Sequence, residues 1–306
     1  MGTPDFAVGA LDSLVAAGHE VAAVITQPDK PKGRKKTLTP PPVKVRALEH
    51  GLQVYQPARV REAACIERLK EISPDVIVVA AFGQIIPKEI LELPRYGCIN
   101  VHASLLPKYR GAAPIQWAVI DGEKESGVTL MRMDEGLDTG DMIARTVIPL
   151  AEDETGGSLF DRLSEAGAKL LTDTLPLVEQ GKVQYEPQPR ESPTPYARMM
   201  TRELGRIDWN RPAAELERLV RGLNPWPAAY TSLHGKQLKL WKTRIGNAEA
   251  EGSPGEILEA SGGALAVRTG DGVLEILELQ LEGKKRMDAE AFLRGCRIGK
   301  GTVLGR

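Results

Sequence analysis

Apolar runs alternate with helix-like segments from residue 4 to about residue 180, and this alternation constrains the fold more than any other feature of the sequence. Helical stretches include "PDFAVGALDSLVAAG", in which Pro4 suits a first helical turn and Gly18 a C-terminal cap. The clearest strand candidates are "HEVAAVIT" (19–26), "DVIVVAAF" (75–82), "GCINVH" (97–102) and "GVTLMRM" (127–133). Such alternation predicts an α/β domain with an open, mostly parallel sheet covered on both faces.

A second domain is indicated beyond residues 185–197, "YEPQPRESPTPYA", which are proline-rich and typical of an extended linker. One helix around "AAELERLVRGL" is followed by short strand-like runs: "AAYTSLHG", "KQLKLWKTRI", "GEILEA", "ALAVRTG" and "GVLEILELQL". Short strands broken by glycine turns predict a small OB-like β-barrel. We therefore expect an α/β domain over 1–183, a linker over 184–202 and a C-terminal β-barrel domain over 203–306.

Composition and absent motifs exclude several classes of protein. The 306 residues, 42% of them apolar, can form two ordinary cores, and no run of about eighteen apolar residues or signal-peptide pattern is present. We therefore expect a soluble, cytoplasmic protein with no membrane partner. Cys65, Cys98 and Cys296 are far apart, which favours neither a metal site nor a disulfide. No G-x-G-x-x-G follows a strand and "GCRIGK" lacks Walker A spacing, so dinucleotide and P-loop sites are disfavoured.

The stretch "INVHASLLP" ends a predicted buried strand with polar side chains, at the kind of position where open α/β sheets bind ligands. Side chains alternate between the two faces of a strand, so Asn100 and His102 share one face. An amide and an imidazole placed together can stabilise an oxyanion, and histidine can exchange protons near neutral pH. A core histidine satisfied by its neighbours explains the pair equally well.

A third polar group comes from "DEGLDTGD", residues 134–141, which follows the strand "GVTLMRM". We expect this loop to reach the same edge of the sheet, where the Asp138 carboxylate could orient His102. Asp134 and Asp141 are better explained as turn and cap residues. No serine or cysteine lies in a nucleophile elbow, which favours direct group transfer over a covalent intermediate.

Five motifs spread along nearly the whole chain resemble one family: "GTPDFA", "TQPDKPKGR", "GCINVHASLLPKYRGAAPIQ", "GVTLMRMDEGLDTGDM" and "RIDWNRPAAELERLVRGLNPWPA". The family is that of the 10-formyltetrahydrofolate-dependent formyltransferases, whose first domain is Rossmann-like. The N-V-H and L-D-T-G-D parts are shared across it, including the enzyme that formylates glycinamide ribonucleotide. The basic insertion "TQPDKPKGRKKTLTPPPVK" and the module with "NPWPA" resemble the branch that acts on methionyl-tRNA.

The resemblance implies that Asn100, His102 and Asp138 are catalytic. The formyl group would pass from 10-formyltetrahydrofolate to the α-amino group of methionyl initiator tRNA, and we expect the enzyme to be a monomer. The resemblance assigns folate binding to "SLLP" and to the loop "FGQIIP", that is, to Ser104, Leu105, Leu106, Pro107, Gly83, Gln84, Ile85 and Ile86. Packing of the sheet's rim explains these mostly apolar residues equally well.

The segment "KPKGRKK" concentrates positive charge, although the net charge of the whole chain is only -1. The resemblance implies that this insertion contacts the acceptor stem of tRNA, through Lys32, Arg34, Lys35 and Lys36. A solvated linker is the alternative. Trp226, between prolines in "NPWPA", is expected to be a packing anchor and not a base-stacking residue.

Two other functions stay open on the sequence. A formyltransferase or hydrolase of a smaller substrate could use the same catalytic group, but it would need neither the basic insertion nor the second domain. An RNA-binding protein could use the barrel and basic patches around a degenerate folate site. The intact Asn100, His102 and Asp138 argue against that second alternative.

The N-terminus departs from the family, in which a short strand precedes "GTPDFA"; here only Met1 precedes Gly2. First strands of doubly wound folds lie in the middle of the sheet, so we expect unpaired backbone groups and an unfilled core slot. We also expect the natural chain to carry about six further residues, the length of a typical strand.

Overall fold

The computed structural model describes residues 1–33, 36–246 and 251–305, which form two compact units. The first unit comprises Met1–Pro114, Glu125–Pro149 and Phe160–Ala197; the second comprises Ile115–Lys124, Leu150–Leu159 and Arg198–Arg306. Among the described residues, no helix has the length and apolar character needed to cross a membrane. The domain boundaries expected at 183 and 203 stay a prediction.

The helices and strands up to residue 179 follow the predicted α/β alternation. They are α1 (Asp5–Ala16), β1 (Val24–Ile25), β2 (Lys30–Lys32), β3 (Thr37–Thr39), α2 (Pro42–Glu49), β4 (Val54–Tyr55), α3 (Ala63–Ile72), β5 (Ile77–Val79), α4 (Lys88–Leu91), β6 (Cys98–His102), α5 (Pro114–Asp121), β7 (Glu125–Arg132), β8 (Met142–Pro149) and α6 (Gly156–Glu179). By residue range, α5 falls almost wholly in the second unit and α6 mostly in the first. Helix α1 begins after Pro4 and buries Phe6, whose ring packs edge-on against Phe160 in α6.

The first unit contains a Rossmann-like sheet whose far edge is antiparallel. Strand β1 pairs with β4 and β5 pairs with β6, both in parallel, and the order of the larger sheet is β5-β6-β7-β8. Strand β7 runs antiparallel to β6. Strand β8 runs antiparallel to β7, because the short loop 133–141 that joins these two strands permits only an antiparallel pair. The mostly parallel arrangement expected from the sequence therefore holds only on one side of β6.

Met1 and Gly2 lie between β1 and β5, at one end of an unfilled slot. The Met1 amino group donates to the Val78 carbonyl (2.6 Å) and Gly2 N–H donates to the Ile25 carbonyl (3.0 Å). Backbone N–H and C=O of one strand residue point to the same side, so the N–H groups of Ile25 and Val78 also face this slot. A cavity of about 520 Å³ adjoins Met1 and Gly2; residues of α1, β1, α3, β5 and α6 line it. Strands β1 and β5 are shorter than "HEVAAVIT" and "DVIVVAAF" suggest.

The second unit is rich in antiparallel sheet. Its later elements are a 3-10 turn (Glu203–Gly205), α7 (Ala213–Gly222), β9 (Ala229–Leu233), β10 (Lys236–Gly246), β11 (Ile257–Ser261), β12 (Ala264–Arg268), β13 (Val273–Leu281), β14 (Met287–Asp288) and α8 (Ala289–Gly295). The strand order is β11-β12-β13-β10-β9, with β14 paired to β13. The described residues form no closed sheet, because β9 and β11 are not paired with each other.

The packing tryptophan of the second unit is not the one expected. Trp226, between Pro225 and Pro227, is 55% exposed, so the prediction that it is a packing anchor is wrong. Trp209 takes that role, since it is buried and its indole N–H donates to the Thr231 hydroxyl (3.0 Å).

Candidate active site

Strand β6 presents Asn100 and His102 on one face of the sheet, as the alternation of side chains predicts. Their neighbours across the antiparallel pair are Met131 and Thr129 of β7. Asn100 is 8% and His102 6% exposed, so both side chains depend on protein groups for their hydrogen bonds.

The ring of His102 is fixed through one nitrogen. Its Nε2 lies 3.0 Å from the carbonyl oxygen of Tyr109, and a carbonyl only accepts, so Nε2 carries a proton. The other nitrogen, Nδ1, lies 3.7 Å from Oδ1 of Asp138, too far for a direct hydrogen bond. In the neutral ring Nδ1 is therefore the atom free to accept a proton.

The Asp138 carboxylate completes the group. Its Oδ1 lies 3.4 Å from the Asn100 amide nitrogen, and its Oδ2 accepts the N–H of Gly111 (2.9 Å). Asp138 has a left-handed backbone (φ +55°), which is uncommon for a residue other than glycine and needs support from its surroundings. The structure thus brings together the side chains of Asn100, His102 and Asp138.

The loop that carries Asp138 starts at the opposite end of β6 from the one expected. Because β7 is antiparallel to β6, it ends with Arg132 opposite Ile99, near the beginning of β6 and not at its carboxyl edge. Loop 134–141 must therefore fold back across the face of β6 to reach His102. Inside this loop the Asp134 carboxylate accepts from the Gly136 N–H (3.0 Å) and the Thr139 hydroxyl (2.9 Å), which is the turn role expected for it.

Residues 186–197, termed the strap below, are hydrogen-bonded along the first unit. They include much of the expected linker. The backbone of Glu186 pairs with Met142, and Ala197 N–H donates to the Arg110 carbonyl (2.8 Å). Side chains add further bonds: Ser192 donates to the Pro107 carbonyl (2.9 Å), and the Thr194 hydroxyl accepts Tyr109 N–H (2.7 Å).

Part of the "SLLP" segment is buried or hydrogen-bonded within the protein. The Ser104 hydroxyl donates to the Lys108 carbonyl (2.7 Å), and Leu106 N–H donates to the Thr129 hydroxyl (3.1 Å). The Leu106 side chain packs in a buried cluster with Met131 and Met142. Leu105 and Pro107 are partly exposed, so they are the members of this segment whose side chains remain accessible.

The loop after β5, residues 82–87, is the second predicted folate segment. The carbonyls of Phe82 and Gly83 accept from the Gln27 amide (3.0 and 3.1 Å), and Gln84 Oε1 accepts Val60 N–H (2.7 Å). Ile86 is buried in the core. Ile85 is 76% exposed, so within this predicted folate segment it is the apolar side chain available to a ligand.

The basic segment forms a hairpin of β2 and β3, in which Lys32 pairs with Thr37. Lys32 and Lys36 are exposed; Arg34 and Lys35 lie outside the described residues. Lys30 Nζ donates to the Gln27 side-chain oxygen (2.6 Å), which links the base of the hairpin to the Gly83 loop. The proposed tRNA contacts stay a prediction.

Two backbone groups of this site were not predicted, the Tyr109 carbonyl and the Gly111 N–H. Both act through the main chain, which leaves little trace in side-chain patterns. The one sequence signal for these groups is the glycine at position 111. Its positive φ (+122°) and its close approach to Ala197 leave no room for a side chain. Within the described residues, no group of three or more His, Cys, Asp or Glu is arranged to hold a metal ion.

Sequence comparison accounts for both parts of the chain. Residues 1–175 match the family described as formyl transferase, and residues 199–297 match the formyl transferase C-terminal domain. The chain belongs to the formyltransferase family. The resemblance seen in the sequence motifs is thereby confirmed, and the chain is a formyl-transferring enzyme.

This formyltransferase has close relatives of nearly its own length. It is 58% identical over 302 residues to the methionyl-tRNA formyltransferase of Agathobacter rectalis, covering 99% of this chain and 97% of the relative. It is 53% identical over 310 residues to the methionyl-tRNA formyltransferase of Lachnospira eligens, covering 100% and 98%.

Solved structures agree on the fold. A sugar 3N-formyl transferase, WlaRD, solved in the presence of dTDP and 5-N-formyl-THF, matches with a TM-score of 0.65 at 20% identity, over 93% of this formyltransferase and 97% of that chain. HypX from Aquifex aeolicus, in complex with tetrahydrofolic acid, matches with a TM-score of 0.57 at 24% identity, over 80% and 43%. At these identities the likeness concerns the fold alone.

Proposed function

We propose that this enzyme transfers the formyl group of 10-formyltetrahydrofolate to the α-amino group of methionyl initiator tRNA, for the initiation of translation. Asn100, His102 and Asp138 carry the catalysis. The observation that supports this most directly is their convergence on one face of β6, with His102 Nδ1 left free to accept a proton. The names of the relatives from Agathobacter rectalis and Lachnospira eligens support the acceptor.

The geometry suggests a direct transfer. The amine of the methionyl ester attacks the formyl carbon, and His102 Nδ1 accepts the proton that the amine loses. The resulting oxyanion is stabilised by N–H donors of Asn100 and of the protonated His102 ring, while the Asp138 carboxylate balances the ring's positive charge. The C–N10 bond then breaks, and the proton passes from His102 to N10, so that tetrahydrofolate leaves as a neutral amine.

The substrates approach from separate parts of the chain in this proposal. The pterin lies against the Gly83–Ile86 loop and the "SLLP" segment, where Leu105, Pro107 and Ile85 are accessible. The β2–β3 hairpin contacts tRNA phosphates. The sheet of the second unit forms part of a β-barrel that binds tRNA, and the enzyme works as a cytoplasmic monomer.

The test is transfer of a radiolabelled formyl group from 10-formyltetrahydrofolate to three acceptors: methionyl initiator tRNA, uncharged initiator tRNA and glycinamide ribonucleotide. We expect label only in the methionyl-tRNA, in an amide that survives removal of the tRNA ester. Preferential labelling of glycinamide ribonucleotide would support the small-substrate alternative. Tight tRNA binding without any transfer would support the RNA-binding alternative.

A further inference from the structure

The Asp138 loop is held from outside by one side chain of the strap. The amide nitrogen of Gln188 donates to the carbonyl oxygens of Asp138 (3.0 Å) and Gly140 (2.7 Å), one on each side of Thr139. These two bonds fix the backbone at the residue whose left-handed conformation needs support. The direction of the Asp138 carboxylate therefore depends on Gln188.

Gln188 is in turn held by a buried arginine. Its side-chain oxygen accepts from Arg110 Nε (3.0 Å) and Nη2 (2.9 Å), a paired contact that fixes the plane of the amide. The same guanidinium donates to the carbonyls of Pro189 (2.7 Å) and Arg190 (3.1 Å). Arg110 is only 7% exposed, so it holds the strap from inside the protein.

Arg110 also lies between the two backbone groups that touch the catalytic side chains. The preceding residue, Tyr109, accepts from His102, and the following residue, Gly111, donates to Asp138. Arg110 and Gln188 therefore close a ring of contacts that runs from His102 through Tyr109 to Arg110 and Gln188, and back to Asp138. A ring of this kind restricts how far Asp138 can move relative to His102.

We propose that Gln188, oriented by Arg110, is a positioning residue for formyl transfer, which holds the Asp138 carboxylate facing Asn100 and His102. This inference rests on the proposed function, since it assumes that Asp138 takes part in the reaction. Only an amide meets both demands at this position. It must donate to two carbonyls at one end and accept from a guanidinium at the other.

The decisive variant is Gln188→Glu. Glutamate has the same shape and would bind Arg110 more strongly, but it cannot donate to the Asp138 and Gly140 carbonyls. We expect kcat to fall about 10- to 100-fold, the scale of a misplaced catalytic group, with KM for folate and tRNA nearly unchanged and the melting temperature retained. Glu191→Gln, an exposed change in the same strap, is the matched control and should leave kcat unaltered.

A double-mutant cycle separates this inference from the proposed function. In an Asp138→Asn background, Q188E should change kcat by no more than about threefold, because the group that Gln188 positions is already impaired. If D138N alone keeps full turnover, the proposed catalytic role fails. Two results would overturn the positioning role and leave the proposed function standing. In the first, D138N is inactive while Q188E keeps the normal kcat. In the second, the fold-losses of kcat in D138N and Q188E multiply in the double variant.

Two further variants keep the test decisive if Q188E folds poorly. Gln188→Met keeps the length and removes every hydrogen bond of this side chain, and Arg110→Lys keeps the charge and removes the paired geometry. We expect both to lower kcat more than they raise KM. A melting temperature that falls in both while kcat per folded molecule is retained would make Gln188 and Arg110 structural residues only.

Discussion

The Nε2 atom of His102 lies 3.0 Å from the carbonyl oxygen of Tyr109, and this contact decides which ring nitrogen is available for chemistry. Because the carbonyl holds the Nε2 proton, Nδ1 is the nitrogen turned toward Asp138. A base and a carboxylate are thereby placed side by side, with the Asn100 amide next to the same carboxylate. The catalytic predictions depend on this arrangement.

Replacing a member of this group should abolish most of the activity without unfolding the protein. We expect His102→Ala, Asn100→Ala and Asp138→Asn each to lower kcat by roughly 10²-fold or more, the scale of losing one preorganised donor or a proton acceptor. Steady-state formyl transfer at saturating substrates measures this. Glu135→Gln, an exposed acid on the Asp138 loop, is the control. Near-normal kcat in any of the three variants would remove that residue from the catalytic group.

Neutralising the β2–β3 hairpin should weaken tRNA use selectively. With Lys32, Arg34, Lys35 and Lys36 changed to glutamine, we expect KM for methionyl-tRNA to rise while KM for the folate stays constant, because in the proposed function these cations contact tRNA phosphates and not the pterin. The slope of log affinity against log salt should flatten by about 0.7 to 0.9 for each phosphate that the hairpin no longer neutralises. Lys182→Gln, an exposed lysine elsewhere, should change neither quantity. An unaltered salt slope in the hairpin variant would mean that the segment is only a linker.

The sequence predicts the proximity of Asn100, His102 and Asp138 better than it predicts the residues that surround them. Asn100 and His102 share a face because of strand periodicity, which side-chain patterns report directly. Asp138 does reach them, but by crossing the sheet's face, since strand direction is not encoded in an apolar run. Gln188 and Arg110 could not have been found. Their partners are mainly backbone carbonyls far away in sequence, and a hydrogen bond to a carbonyl requires no particular residue type at the other end.

Cys98 should be the least reactive of the cysteines. Burial raises the pKa of its thiol to about 12, so at pH 8 only about one molecule in ten thousand carries the reactive thiolate. Cys296 is partly exposed. We expect iodoacetamide to modify Cys296 in the native enzyme and to spare Cys98, with all cysteines labelled in guanidinium. Peptide mass spectrometry gives the sites. Equal labelling of Cys98 and Cys296 in the native protein would show that the interior beside β6 opens readily.

Filling the slot between β1 and β5 with an added strand should raise the stability of the protein. Five apolar residues in extended conformation, such as alternating valine and isoleucine, joined ahead of Met1 should enter the cavity and bond to the inward-facing groups of Ile25 and Val78. The added strand buries apolar surface and pairs backbone groups, so the free energy of unfolding should rise by several kcal/mol. A glycine-serine extension of equal length is the control and should add little.

The pH dependence of stability distinguishes strand insertion from a general effect of a longer chain. In the chain that begins at Met1, burial lowers the pKa of the Met1 amino group to about 6, from an ordinary value near 8. Between these values the unfolded chain binds the proton and the folded one does not. The free energy of unfolding should therefore rise with pH from about 6 to 8, by about 2 to 3 kcal/mol. Once Met1 is joined to a strand, its nitrogen is an amide and cannot titrate, so this rise should vanish. Urea unfolding at pH 6 and pH 8 measures both effects. If the apolar extension neither stabilises the protein at pH 8 nor flattens the pH dependence, the cavity does not accept a strand.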